Sequence, residues 1–266
     1  MNPIDFGFLQ ALRYKIGPIF GSEDLCVLLY SLVKREKPRV VVELGTGFGV
    51  TTAWIAAAMA ENGYGTIYTV DNGAGFSASR VRHKFDQFDG VLRPLAGVAA
   101  AEDFFATAFQ LAGVSNHVRT IKRDIDLVNL QWLDEEIEKD HETTLVDFVF
   151  SDFDHSVPAI CRLLAAFLPR LTDNASLFID SASTKMISYY MLEYLMDLLS
   201  KNKIPAELLA MANDDAERTR LTQVLSNSVI RLIHLVEHHD RAQNSTAWIK
   251  ITRPSLLPAG AQNVRI

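Results

Sequence analysis

Runs of consecutive apolar residues alternate along this chain with stretches whose apolar positions recur every three or four residues. Residues 22–35, SEDLCVLLYSLVKR, open with a serine and an acidic first turn and then carry apolar residues at helical spacing, the pattern of a capped amphipathic helix. RVVVEL follows as a buried strand, GTGFG as a turn, and VTTAWIAAAMAEN as a helix ended by Gly63. GTIYTVDN reads as a second strand, residues 100–112 as a helix closed by Gly113, and HVRTIKRDI as a third strand. LVDFVFSDFD is a fourth strand, and VPAICRLLAAFLPRL a helix with Pro158 in its first turn, where a missing N–H does no harm. ASLFIDS is a fifth strand, followed by a long helix through KMISYYMLEYLMDLLSKN and a further one around 212–228. VIRLIHLVEHH and TAWIKITRP close the pattern as two strands joined by a short polar loop, an antiparallel hairpin.

Strands alternating with helices imply a parallel sheet covered on both faces. Ligands of such sheets sit beyond the carboxyl ends of the strands, near the first crossover. That places the chemistry in the turns after the strands.

Composition narrows the setting. A chain of 266 residues, 48% hydrophobic, can bury a full core. A net charge of −6 offers no attraction to nucleic acid or to an anionic membrane. Cys26 and Cys161 stand far apart, without the spacing of a zinc site or a disulfide framework. No apolar run approaches the ~18 residues of a membrane span, and the first residues lack a basic region followed by an apolar stretch. The expectation is a soluble cytoplasmic protein.

The turn after the first strand decides among nucleotide-like ligands. A dinucleotide fingerprint needs G-x-G-x-x-G. Here Gly45, Gly47 and Gly49 give G-x-G-x-G, and the third fingerprint position is Val50. A nicotinamide dehydrogenase is disfavoured by that valine, and a P-loop by the lack of a following G-K-[ST]. What remains is Glu43 two residues before the first glycine, and Thr51 and Thr52 opening the helix. Backbone N–H groups and a threonine hydroxyl at a helix N-terminus suit the carboxylate of an amino-acid tail.

This pattern resembles motif I of the class I S-adenosylmethionine-dependent methyltransferases. The resemblance covers about residues 38–182 and implies an α/β fold: a Rossmann-like, seven-stranded, mostly parallel sheet with an antiparallel C-terminal hairpin and helices on both faces. It implies three segments: an N-terminal helical segment over 1–37 forming a lid or dimer contacts, a methyltransferase domain over 38–254 with a helical insertion around 183–228, and a tail over 255–266. It also implies S-adenosyl-L-methionine as cofactor, held by Glu43, Gly45, Thr46, Gly47, Gly49, Thr51, Asp71, Asn72, Asp124, Ile125 and Asp152. Within that set Asp71 ends the second strand, where the family chelates ribose hydroxyls. Asp124 ends the third, where the family places an acid near the adenine amino group. A solvated turn acid is the competing reading of Asp124.

The fourth strand delivers Asp152 to the sheet's carboxyl edge, and His155 follows in VDFVFSDFDHS. This D-x-x-H resembles the small-molecule O-methyltransferases, both the catechol type and the metal-dependent sugar type. It implies His155 and Asp152 as catalytic residues, His155 taking the acceptor's proton. An imidazole with an ordinary pKa of about 6.5 is suited to that task at neutral pH, above all beside carboxylates. Capping or packing of the next helix is the competing role for His155. Family members carry two further metal ligands at the end of the fifth strand, where this chain has Asp180 and Ser181. Serine is a poor Mg²⁺ ligand, so two readings stay open: a Mg²⁺ held by Asp152, Asp180 and waters, or no metal.

The implied partner is a small-molecule acceptor, most simply a hydroxyl. An amine or carboxylate acceptor, or a non-catalytic cofactor-binding homologue, is the alternative. A flipped base is disfavoured because SDFD stands where DNA amino-methyltransferases carry their [DNS]-P-P-[YFW] motif. A homodimer is expected. The Tyr-, Met- and Leu-rich stripe ISYYMLEYLMDLL fits core or subunit interface better than a substrate pocket.

Overall fold

The apolar runs become strands buried on both faces, as a covered parallel sheet requires. β1 (Val40–Leu44) is buried at every residue and β2 (Thr66–Asp71) at all but its last. β3 (Val118–Lys122) is mostly exposed and stands at a sheet edge. β4 (Val146–Ser151), β5 (Leu171–Asp180), β6 (Val229–Val236) and β7 (Ser245–Thr252) complete the set. The seven strands form one sheet in the order β3-β2-β1-β4-β5-β7-β6. β7 runs antiparallel to β5 and β6, while β1–β2, β2–β3 and β4–β5 are parallel. This is the Rossmann-like, mostly parallel α/β sheet with an antiparallel C-terminal hairpin. The computed structural model describes residues 3–20, 23–76, 85–182, 186–236 and 245–253. The Ser22 cap, the polar hairpin loop with His238 and His239, and the tail 255–266 lie outside them.

Two compact units divide the chain, Met1–Ile125 and Asp126–Ile266. In the first, α1 (Phe6–Phe20) and α2 (Glu23–Glu36) join α3 (Val50–Asn62) and α4 (Ala101–Leu111) around β1 to β3. The centre of α3 is apolar on all sides and buried from Thr52 to Met59, as befits a helix enclosed by the fold. It ends at Gly63, whose N–H bonds back to Ala60 and Met59. A phenylalanine cluster fills the space beside the glycine turn. Phe48, within the turn itself, packs edge-on against Phe85 and Phe104, with ring centroids 5.3 and 6.4 Å apart.

The second unit holds β4 to β7 with α5 (Gln131–Glu138), α6 (Val157–Phe167), α7 (Met186–Ser200), α8 (Ala206–Leu209) and α9 (Asp215–Ser226). Ser156 caps α6 by accepting the Ala159 N–H, with Pro158 in the first turn. Phe148, Phe178 and Trp248 stack in sequence across β4, β5 and β7, at 4.9 and 5.5 Å. Two boundaries differ from expectation. The helix before β5 stops at Phe167 and tightens into a 3-10 turn over Leu168–Arg170, where Pro169 has no N–H to carry the α-helical ladder onward. β5 begins at Leu171, which pairs with Val146 of β4, and pairs with β7 over residues 174–180. Helix α5 was not visible in the sequence pattern, since its buried apolar residues are only Leu133 and Ile137. Among the described residues no helix is long and apolar enough to cross a membrane.

Candidate functional site

The glycine turn is pinned to the strand beside it. Gly45 donates its N–H to Val70 at 2.9 Å, and Gly47 donates to Asp71 Oδ2 at 3.1 Å. Gly47 has φ +55, and a Cβ there would meet nothing within 4 Å, so open space adjoins the backbone at that point. Gly49 is confined twice over. Its φ is +71, and a Cβ would lie 3.0 Å from the Phe109 ring, so a side chain is excluded by conformation and by contact. Gly49 is also the N-cap of α3, without a side-chain hydrogen bond. The first N–H groups of that helix therefore carry no side-chain acceptor from the cap and suit a carboxylate. Thr51 is half-buried at this opening.

Asp71, Asn72 and Asp124 come together at the carboxyl ends of β2 and β3. Asp71 accepts from Gly47 through one oxygen and from the Gly73 N–H through the other, at 2.6 Å. Asn72 donates to Asp124 Oδ1 at 2.7 Å and accepts from the Ala74 N–H at 2.9 Å. Each Asp71 oxygen retains acceptor capacity beyond its one backbone bond. Beside Asp71 lies a cavity of about 70 Å³, bordered by Thr46, Thr69, Gly73, Phe105 and Lys122. Ile125 follows, half-buried.

Glu43 and Thr46 turn into the fold. Glu43 is fully buried, and its Oε2 accepts from Thr52 and, at 2.5 Å, from Thr69. Thr69 in turn shares a 2.6 Å hydrogen bond with Thr46. The second carboxyl oxygen, Oε1, is buried without a hydrogen-bond partner. Burial drives the Glu43 pKa up to about 7, against the pull of the two threonine hydroxyls and with help from the negative charge of Asp71. Thr69 and Phe48, which brace this turn, were not singled out in the sequence, and nothing local marks either as doing so.

In the second unit, β4 ends at Ser151 and hands Asp152 to the turn before α6. Asp154 accepts the Ser156 N–H at 2.9 Å, a local turn that holds the segment in shape. His155 Nε2 lies 3.6 Å from Asp152 Oδ1, both side chains partly buried. That separation exceeds a hydrogen bond, yet it lets the carboxylate stabilise an imidazolium. The buried Ser188 of α7 donates to the His155 carbonyl at 2.5 Å and ties the turn to that helix.

Asp180 and Ser181 end β5 in a different setting. Asp180 is 5% exposed, and its Oδ1 accepts from Thr246 at 2.8 Å. Burial raises its pKa to about 6, while Thr246 and the Ser181 backbone pull it back. Ser181 is fully buried at φ +53, its hydroxyl without a partner. Among the described residues no group of three or more His, Cys, Asp and Glu is placed to hold a metal ion. A buried carboxyl already engaged by a hydroxyl and a backbone N–H, beside a serine, fits Mg²⁺ poorly, since that ion asks for octahedral oxygen ligation.

A strand order of this kind, with a glycine turn after the first strand, defines a nucleotide-type α/β fold. A family profile described as a methyltransferase domain matches residues 42–182, more than half of the chain, and the chain belongs to that family. Two solved structures share the fold. The O-methyltransferase TomG from Streptomyces achromogenes, involved in tomaymycin synthesis and in complex with SAM, is 18% identical, with 92% of this chain and 88% of that one covered and a TM-score of 0.50. A putative O-methyltransferase from Klebsiella pneumoniae is 14% identical, with 95% and 92% covered and a TM-score of 0.50. No curated protein matches the chain.

Proposed function

We propose that this methyltransferase takes its methyl group from S-adenosylmethionine and delivers it to a hydroxyl oxygen of a small molecule. One observation carries the cofactor half: Asp71, its two oxygens steadied by Gly47 and Gly73, borders open space beside an α3 N-terminus that has no side-chain cap. Carboxylate oxygens so placed suit a pair of ribose hydroxyls, and the helix start suits the methionine carboxylate. Gly45, Thr46, Gly47, Gly49 and Thr51 form the tail side in this reading, and Asp71, Asn72, Asp124 and Ile125 the nucleoside side. Glu43 supports the turn from beneath.

When bound, S-adenosylmethionine supplies a methyl carbon already activated on a sulfonium. The chain then has to align the acceptor and remove its proton. His155 accepts that proton, and Asp152 stabilises the imidazolium across 3.6 Å. Ser188 fixes the turn through the His155 carbonyl. No step runs through Mg²⁺, because the Asp180–Ser181 pair fits it poorly. The 1–37 segment serves as a lid or in the contacts of a cytoplasmic homodimer, and the helical insertion around 183–228 shapes the acceptor side.

The test is transfer of a labelled methyl group from S-adenosylmethionine to a panel of phenols, sugars, hydroxy acids, amines and carboxylic acids. Ether products support the oxygen assignment. Labelled amines or esters alone would replace it, and tight cofactor binding with no transfer to any acceptor would mark a non-catalytic homologue.

A further inference from the structure

The second unit contains a cavity of about 200 Å³ that the methyl-transfer reading leaves unused. Its border includes Thr144 and Leu145, just before β4, and Pro169 and Arg170, just before β5. Asp152 and Asp180 stand at the other ends of those two strands. The cavity is therefore at the amino edge of β4 and β5, a strand length from the Asp152–His155 turn.

Three arginines reach this cavity, and only two carboxylates, Asp134 and Glu217. Arg170 bonds both oxygens of Asp134, at 3.4 and 3.3 Å, and also the Ala166 carbonyl at 3.0 Å. Arg162 donates to the Met211 carbonyl and, at 3.4 Å, to Asn213 Oδ1. Asn213 in turn donates to the Val128 carbonyl at 2.8 Å, and its N–H binds Glu217 at 2.8 Å. The rim is thus tied together by its own polar groups before any ligand arrives. Arg220, three residues beyond Glu217 on α9, has no ion pair or hydrogen bond among the described residues. The remaining wall is mixed: Thr144 is polar, Val128 and Leu145 present exposed apolar surface, and Leu130 and Leu221 are almost wholly buried.

A net positive cavity in a chain of net charge −6, with two of its cations locked and one left over, is selective for negative charge. We infer that it is a second binding site, for a small organic anion whose carboxylate or phosphate meets Arg220 while its apolar body lies against Val128 and Leu145. Guanidinium recognises either group through paired N–H donors, and the exposed apolar side chains of Val128 and Leu145 give an organic body contact that a bare inorganic ion lacks. The inference does not depend on the methyl-transfer assignment.

Calorimetric titration with benzoate and phenyl phosphate, against neutral benzamide, tests it on the full chain saturated with S-adenosylhomocysteine. The anions should bind at least tenfold more tightly than benzamide. Arg220→Gln, on an exposed helix face, should weaken the anions at least tenfold and leave benzamide unchanged. Ala166→Leu, which fills the cavity, should weaken all three, with both variants melting within a few degrees of the parent. Equal binding of benzoate and benzamide, absence of binding by both anions, or an Arg220→Gln protein that binds them like the parent overturns the inference. So does competition between the anions and an O-methylation acceptor, which would assign them to the reaction site instead.

Discussion

The glycine turn of the first unit and the Asp152–His155 turn of the second both follow parallel strands, yet they are held in opposite ways. The glycine turn is cross-linked from every side. Gly45 bonds Val70, Gly47 bonds Asp71, and Thr46, Thr69, Glu43 and Thr52 form one buried chain of hydroxyl and carboxyl groups. The other turn is tethered through Asp154 and Ser188, and its two chemical side chains stand 3.6 Å apart. A surface that receives a fixed ligand gains from rigid backbone donors, since their orientation is settled before binding. A base that must take a proton gains from a carboxylate close by, which stabilises the cation it becomes.

If that contrast is right, the two turns fail differently when cut. His155→Ala should lower turnover by ~10²–10⁴-fold, the usual contribution of a positioned base, with S-adenosylhomocysteine affinity nearly unchanged. The loss should shrink as pH rises, because hydroxide or an already ionised acceptor replaces the imidazole. Equal rates for parent and variant across pH 6 to 9 on the true acceptor would remove the base assignment.

Asp71→Ala should do the reverse. Two charge-assisted hydrogen bonds to a ribose, each worth ~1.5–3 kcal/mol, disappear together, so cofactor affinity should fall by at least ~10²-fold. Turnover at saturating cofactor should suffer less. The variant also loses the acceptor of the Gly47 and Gly73 N–H groups, so its melting temperature must be measured beside the titration. A folded variant that binds S-adenosylhomocysteine as tightly as the parent contradicts the assignment.

Glu43 sharpens the comparison through stability alone. Its carboxyl holds a proton up to about pH 7 in the folded chain, against 4.5 when free of the fold. Between those values the folded state binds more protons than the unfolded state, so stability is full below the lower value and declines as pH rises toward the upper. At ~1.4 kcal/mol per pH unit the span is worth about 3 kcal/mol. Glu43→Gln, which cannot ionise, should remove that decline. Urea unfolding at pH 5 and pH 7.5 reads it: parent and variant curves that shift in parallel would mean Glu43 does not keep its proton.

The same contrast explains what was legible beforehand. Glycines and a neighbouring acid mark the first turn within one local stretch of sequence, because its backbone needs positive φ at Gly45, Gly47 and Gly49, and Asp71 was legible as the acid that ends the next strand. The strands were legible from buried valine runs for a similar reason: burial on both faces leaves little room for polar residues. The inward turn of Glu43 was not, since it depends on Thr69, a residue of the next strand. Nor was Ser188 behind His155, or Thr246 against Asp180, each a pairing across distant segments. The helix Gln131–Glu138 was missed because its buried residues are too few to set a period.

The smallest expected effect concerns Asp180, the carboxyl that could extend the second turn into a metal site. A carboxyl that ligates Mg²⁺ must present a free oxygen to an octahedral shell at ~2.0–2.1 Å. Asp180 suits that role poorly: it is buried, and one of its two oxygens already takes the Thr246 hydroxyl. Ser181 next to it offers a neutral hydroxyl where a further carboxylate or amide would be needed. Excess EDTA should therefore change turnover by less than ~2-fold, and Mg²⁺ added afterwards should restore nothing. Abolition by EDTA with recovery in Mg²⁺ would reverse this reading. Asp152 and Asp180 would then act as ligands, and the proton would leave an acceptor already acidified by the ion, with His155 reduced to a positioning group. Running the same pair of assays on His155→Ala separates the cases, since an ion-acidified acceptor needs the imidazole far less.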